Sequence, residues 1–128
     1  MQENLYKAKR KDDGKWTEGY FYKIWNKTFI LWGMTGDTPN MEEVIPKTVV
    51  QFTGLTDKNG KKIFEGDIIK GTIVSQWTKR KIICRIVWKI DSFVSIDRKN
   101  WIHKVKFGKD IEVIGNIYDN PELLEKGE

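Results

Sequence analysis

Basic side chains interleaved with aromatic rings are the chemistry this sequence offers most densely. Trp77, Lys79, Arg80, Lys81, Arg85, Trp88 and Lys89 come first, and Arg98, Lys99, Trp101, His103, Lys104, Lys106, Phe107 and Lys109 follow. Cations neutralise phosphates and release the counterions condensed on them, and ring faces stack on exposed bases. The charge is also unevenly placed. Residues 70–109 hold 11 Lys/Arg against 2 Asp/Glu, net +9, although the whole chain is only +5. Residues 1–69 are nearly neutral at +1, and residues 110–128 are acidic at −5. Segments 78–81 and 97–100 read as strand connections, which would hold Lys79, Arg80 and Lys81 at one tip and Arg98 and Lys99 at another. These five are the candidate phosphate contacts, with Trp77 and Trp101 as candidate stacking rings. The plainer reading is solvated loops, because charged tips also keep sheet edges from sticking to one another. In that reading Trp88 and Phe93 belong to a core.

Other chemistry is thinly represented. His103 is the only histidine. It has no Ser, Cys or Asp motif beside it, and its spacing from Trp101 and Val105 puts it on an apolar strand face. It reads as a packed or half-exposed strand histidine rather than a general base, which needs a partner within hydrogen-bond reach. Cys84 alternates with Ile82 and Ile86 and reads as a buried thiol, with Arg85 sent to the opposite face. One His and one Cys do not make a zinc site of the usual kinds. Asp57-Lys58-Asn59-Gly60 resembles the start of a calcium loop, but the glycine is misplaced and no acidic residue closes the pattern. It reads as a turn, because Asn and Gly both tolerate positive φ. Gly66-Asp67 lacks the Gly-rich run and following helix of a phosphate loop. No catalytic residues, metal or cofactor are expected, and the chain is read as non-enzymatic.

The elements that must carry these residues are mostly strands. A chain of 128 residues, 39% hydrophobic, can bury a modest core without staples. Residues 5–9 form a candidate short strand. Residues 19–25 and 28–32 are aromatic and β-branched, and pair as a hairpin around Asn26-Lys27. Residues 33–39 read as a loop, 40–46 as irregular and 48–52 as a strand. The polar turn 57–60 then separates Val49-Val50-Gln51-Phe52 from Ile63-Phe64, and Glu65-Gly66-Asp67 launches the next run. Further strands are expected at 67–76, 82–89, 92–96 and 111–118, with 101–107 a weaker candidate. Five short strands without intervening helices suggest a small SH3-like barrel. Asn120 followed by Pro121 signals one closing helical turn. The expected fold is mainly β, with an aromatic β-hairpin region over 1–55 and an SH3-like barrel with an acidic tail over 56–128.

The hairpin offers a second kind of chemistry. Tyr20, Tyr22, Ile24, Phe29 and Leu31 occupy one face, and Phe21, Trp25, Ile30 and Trp32 the other, so it is apolar on both. One face can pack on the rest of the chain; the other would stay bare unless residues 34–47 or a partner cover it. Tyr20, Tyr22, Trp25 and Trp32 are therefore candidate protein-interface residues, and a homo-oligomer or adaptor is the rival role. The acidic tail could meet the basic segment of a second copy.

Several blocks together resemble one protein family. Gln51-Phe52-Thr53-Gly54-Leu55, Asp57-Lys58-Asn59-Gly60-Lys61, Ile63-Phe64-Glu65-Gly66-Asp67-Ile68-Ile69 and the long block from Ile111 to Leu124, with Tyr20-Phe21 before them, are similar to the YopX family of phage and prophage proteins. Residues 76–107 carry no family signature, and Tyr6-Lys7-Ala8 is a loose version of the family's opening. The resemblance implies a phage or prophage origin and a C-terminal SH3-type barrel. It lends no activity and no catalytic residues. The one cysteine fits a reducing compartment. Residues 1–14 lack the pattern of a signal segment, and no apolar run approaches the ~20 residues a span needs. The expectation is a soluble protein of the bacterial host cytoplasm with no membrane partner. Its expected partner is nucleic acid, a second copy, or another phage or host protein.

Overall fold

The computed structural model describes residues 5–74, 79–89, 92–99, 101–104 and 110–125, without the side chains of Ile73, Val74, Arg80, Lys89 and Lys104. The chain is mainly β and divides into two units, 1–52 and 53–128.

The first unit is built on β1 (Tyr6–Lys9), β2 (Trp16–Ile24), β3 (Lys27–Thr35), β4 (Thr38–Glu43) and the opening of β5 (Val50–Thr56), in the sheet order β4-β3-β2-β1-β5. It is therefore a full antiparallel sheet, larger than the expected hairpin. Residues 33–46, read from sequence as loop and irregular chain, instead give the end of β3, all of β4 and a short 3-10 turn over Pro46–Thr48. Pro39 hid β4 from the sequence reading. Proline cannot donate to a ladder, but β4 is an edge strand, where that loss costs little. Residues 34–47 thus extend the sheet sideways and leave Tyr20, Tyr22, Trp25 and Trp32 exposed.

The hairpin turn also lies one residue earlier than expected. Ile24 pairs with Lys27, which leaves Trp25-Asn26 as the two-residue loop. Trp25 takes the left-handed backbone, φ 53°, a conformation that favours glycine. Sequence preference assigns that position to Asn, so the register is set by the facing pairs Tyr20–Leu31 and Tyr22–Phe29 rather than by the turn. Ala8, Ile30 and Val44 form the buried centre of this unit, with Tyr6 and Val49 packed on it.

In the second unit, the end of β5 pairs with β6 (Lys62–Phe64), and the Thr53 hydroxyl donates to the Ile63 carbonyl at 2.7 Å. Strands β7 (Asp67–Val74), β8 (Lys79–Lys89), β9 (Ser92–Asp97), β10 (Ile102–Lys104) and β11 (Glu112–Asn116) form a second antiparallel sheet in the order β10-β9-β8-β7-β11. Strands β10 and β11 are its two edges. Among the described residues no pairing joins one edge to the other, so this sheet is open between β10 and β11 and does not close into a full barrel. Closure depends on pairing between strands distant in sequence, which the alternation within each strand does not encode.

The core of this unit is Ile63, Ile69, Ile82, Cys84 and Ile86, with Phe93, Ile111 and Val113 packed against it. Ile82, Cys84 and Ile86 share the inner face of β8, as period-2 alternation requires. The signature block 57–69 makes two tight structures. At Glu65-Gly66-Asp67, Gly66 adopts φ 87°, a left-handed value that a side chain would strain, and the Asp67 carboxylate accepts the Phe64 N–H at 2.8 Å. At residues 57–61, the buried Asp57 carboxylate accepts N–H groups from Asn59, Lys61 and, across the unit, Val113 at 2.9–3.0 Å. The chain closes in a 3-10 turn over Pro121–Leu124, with Asn120 before it, where the sequence placed a helical turn.

Candidate nucleic-acid interface

Where β9 leaves β8, the second unit has a depression of about 400 Å³. Lys70, Lys81, Arg98 and Lys99 line it, with Ile82, Ile83 and Asp97. Strand pairing explains the grouping. Cys84 is the first residue of β8 paired with β9, opposite Asp97, so among the described residues 79–83 have no strand partner on that side. Lys70 stands opposite Ile83 across β7 and β8, and Thr72 opposite Lys81, so these side chains fall on the outer face of the ladder.

The turn after β9 is held by one carboxylate. Oδ1 of Asp97 accepts the N–H groups of Lys99 and Trp101, each at 2.9 Å. Its Oδ2 lies 3.1 Å from Nε2 of His103. The Trp101 carbonyl in turn accepts the Asp97 N–H at 3.0 Å. Burial alone would raise the Asp97 carboxyl, but the His103 contact and the two N–H groups outweigh it and hold the carboxyl below its ordinary 3.8. The same pattern occurs at Asp57, whose oxygen accepts from the second and fourth residues after it. Asp97-Arg98-Lys99 is thus an Asx-type turn like Asp57-Lys58-Asn59, a correspondence visible in the sequence that the charge reading passed over.

His103 is therefore no isolated strand histidine. Its partner Asp97 is six residues back and meets it because β10 folds antiparallel onto β9. The Ser95 hydroxyl donates to the His103 carbonyl at 3.0 Å, so it engages the backbone rather than the ring. Cys84 is fully buried in the core. Among the described residues no group of three or more His, Cys, Asp or Glu is arranged to hold a metal ion.

Lys79, Arg80 and Lys81 are not at a loop tip: all three are paired residues at the start of β8, opposite Val74, Ile73 and Thr72. Lys79 and Lys81 are exposed, and alternation puts them on one face. Trp77 and the Arg80 side chain lie outside the described residues. Arg98 is half-buried, and its Nε donates to the Leu123 carbonyl at 3.1 Å, fastening the closing turn of the chain. Lys99 is exposed, and Trp101 is 67% exposed on the Asp97-held turn. Trp88 is half-exposed and sets its ring edge-on to Phe93 with centroids 4.6 Å apart. Lys70, Ile82 and Ile83 line the site but were missed in sequence, because only the β7–β8 and β8–β9 registers together bring them beside Lys99. Carboxylates are present as well. Asp110 accepts from the Thr72 hydroxyl and N–H; the hydroxyl does most to hold its carboxyl below the ordinary value, burial opposes, and the Lys81 charge adds to the lowering.

The model of the family described as YopX protein matches residues 5–125. The chain belongs to the YopX family. That match takes in both turn blocks, the Asp97 turn and the closing 3-10 turn of this YopX-family chain. Among solved structures it is similar to protein EF1440 from Enterococcus faecalis, with 22% identity over 97% of this chain and 99% of that one, at a TM-score of 0.57. At that identity the likeness speaks for the fold alone. No curated protein matches the chain. None of its described helices is long and apolar enough to cross a membrane.

Proposed function

We propose that this YopX-family protein is a non-enzymatic, phage- or prophage-encoded protein that binds nucleic acid in the bacterial cytoplasm. The observation that carries the reading is the convergence of Lys70, Lys81, Arg98 and Lys99 on one depression, with Trp101 exposed on the turn that also carries Lys99. Cations gathered at one place concentrate the field and draw a polyanion more strongly than the same charges spread around the molecule. The roles follow from chemistry: Lys70, Lys81 and Lys99 meet phosphates as point charges, with Lys79 extending the cationic face along β8. Trp101 stacks on a base. Arg98 supports the turn through Leu123 and lends its charge to the rim.

Titration against labelled DNA and RNA at increasing salt tests the reading. The logarithm of affinity should fall with the logarithm of salt at a slope of about −0.7 to −0.9 per phosphate contacted. Absence of binding to any strand at low salt would remove the proposal.

A second reading rests on Trp25. This ring is 91% exposed at a hairpin tip, on a backbone conformation that favours glycine. Both features cost stability, and such costs gather where a residue serves a contact. Tyr20, Tyr22 and Trp32 are exposed on the same two strands. In this reading the first unit joins a second copy or another phage or host protein. Light scattering should then show an oligomer that Trp25→Asp dissociates; a monomer at high concentration would count against self-association.

A further inference from the structure

We infer that the depression between Lys70 and Lys99 takes an unpaired nucleotide, so that the protein prefers single-stranded nucleic acid to duplex. This rests on the nucleic-acid reading above and narrows it to one class of strand.

Three observations carry it. The first is shape. The site is concave, about 400 Å³, within the range of pockets that enclose small ligands. A duplex presents outward phosphate ridges with its bases stacked inside, so it can bring only backbone phosphates, and no base face, to such a hollow. The second is the lining. Ile83, half-buried on the outer face beside Lys81, contributes apolar surface between the cations, while Ile82 turns its side chain into the core. A phosphate gains nothing from an isoleucine, whereas the flat face of an unpaired base does. The third is the preorganised turn. One Asp97 oxygen accepts the N–H groups of Lys99, which lines the depression, and of Trp101, which stands exposed two residues further on, each at 2.9 Å, so one fixed turn carries both. Both Asp97 oxygens already have partners, two N–H groups and the His103 ring. The carboxylate therefore acts as a strut for the turn, and its charge is partly answered from within the protein. The cations also converge on one point. A duplex reader instead spaces its phosphate contacts along the backbone to fix register.

The experiment compares three probes by fluorescence anisotropy at one low salt concentration: a single-stranded DNA of about 12 nucleotides, within the usual span of such sites, its duplex, and an abasic strand of equal length and charge. The single strand should bind at least tenfold more tightly than either of the others, since it alone offers accessible base faces for stacking. Trp101→Ala should lower single-strand affinity by about tenfold, and the variant should melt like the parent because the ring is exposed. Equal affinity for the abasic strand, or equal or tighter binding of the duplex, overturns the unpaired-nucleotide inference and leaves the basic-face reading standing. Failure of all three probes to bind overturns both.

Discussion

Asp57→Ala should lower the stability of the second unit by about 3 kcal/mol, the largest effect expected of any single truncation outside the apolar core. The buried carboxylate accepts three backbone N–H groups, from Asn59, Lys61 and Val113. Hydrogen bonds to a charged acceptor are worth about 1.5–3 kcal/mol each. Asn59 and Lys61 are exposed, so water can replace part of their loss, which brings the total down from the sum. The Val113 bond ties the 57–61 turn to β11, and its loss loosens an edge of the sheet. A shift of roughly 10–20 °C in melting temperature follows for a unit of this size. Asp57→Asn should do less harm. Its carbonyl can still accept from Asn59 and Lys61, but its amide nitrogen would face the Val113 N–H. A melting curve for Asp57→Ala within a degree or two of the parent would show that the carboxylate is not a structural tie.

The same carboxylate sets an acid limit. Burial pushes Asp57 upward, but the N–H groups of Val113, Lys61 and Asn59 together hold it below the ordinary 3.8, and Asp97 is lowered in the same direction. A depressed folded pKa adds stability that is fully present above the unfolded value and is lost as pH falls through the folded one. Unfolding midpoints should therefore be level with respect to these two groups above pH ~5 and decline below about 3.8, and Asp57→Asn should flatten part of that decline.

The triple variant Lys70→Gln, Lys81→Gln, Lys99→Gln should reduce nucleic-acid affinity on the order of 100-fold at low salt, without unfolding the protein. All three side chains line one depression, and Lys70, Lys81 and Lys99 are exposed. The salt slope should also become shallower by about 0.7–0.9 for each lysine that contacts a phosphate, because each removed contact releases one fewer counterion set. A control triple drawn from the first unit, Lys23→Gln, Lys27→Gln, Lys47→Gln, removes the same charge elsewhere. If both triples weaken binding equally, net charge and not the depression is responsible, and the site assignment fails.

The legibility of this chain was uneven. The mainly β character was plain in the β-branched and aromatic runs, and the turns at 57–60 and 65–67 were plain in their Asn, Asp and Gly residues. The inner face of β8 followed from alternation alone, and the closing turn from Asn120-Pro121. Strand β4 was hidden because Pro39 argues against a strand until its edge position is known. The hairpin turn slipped by one residue because Trp25 occupies a backbone conformation that composition would give to asparagine or glycine.

The sequence by itself determined which residue types could meet a polyanion, that they crowd into 70–109, and which family the chain resembles. Only the tertiary structure decided which of them share a place. It moved Lys79 to Lys81 from a tip into β8, gave Arg98 a partner at Leu123, added Lys70 and Ile83, and joined His103 to Asp97. The physical reason is that composition and alternation are local properties of one strand. A site lined from β7, β8 and the turn after β9 exists only through the register between strands, which is fixed by packing across the whole sheet.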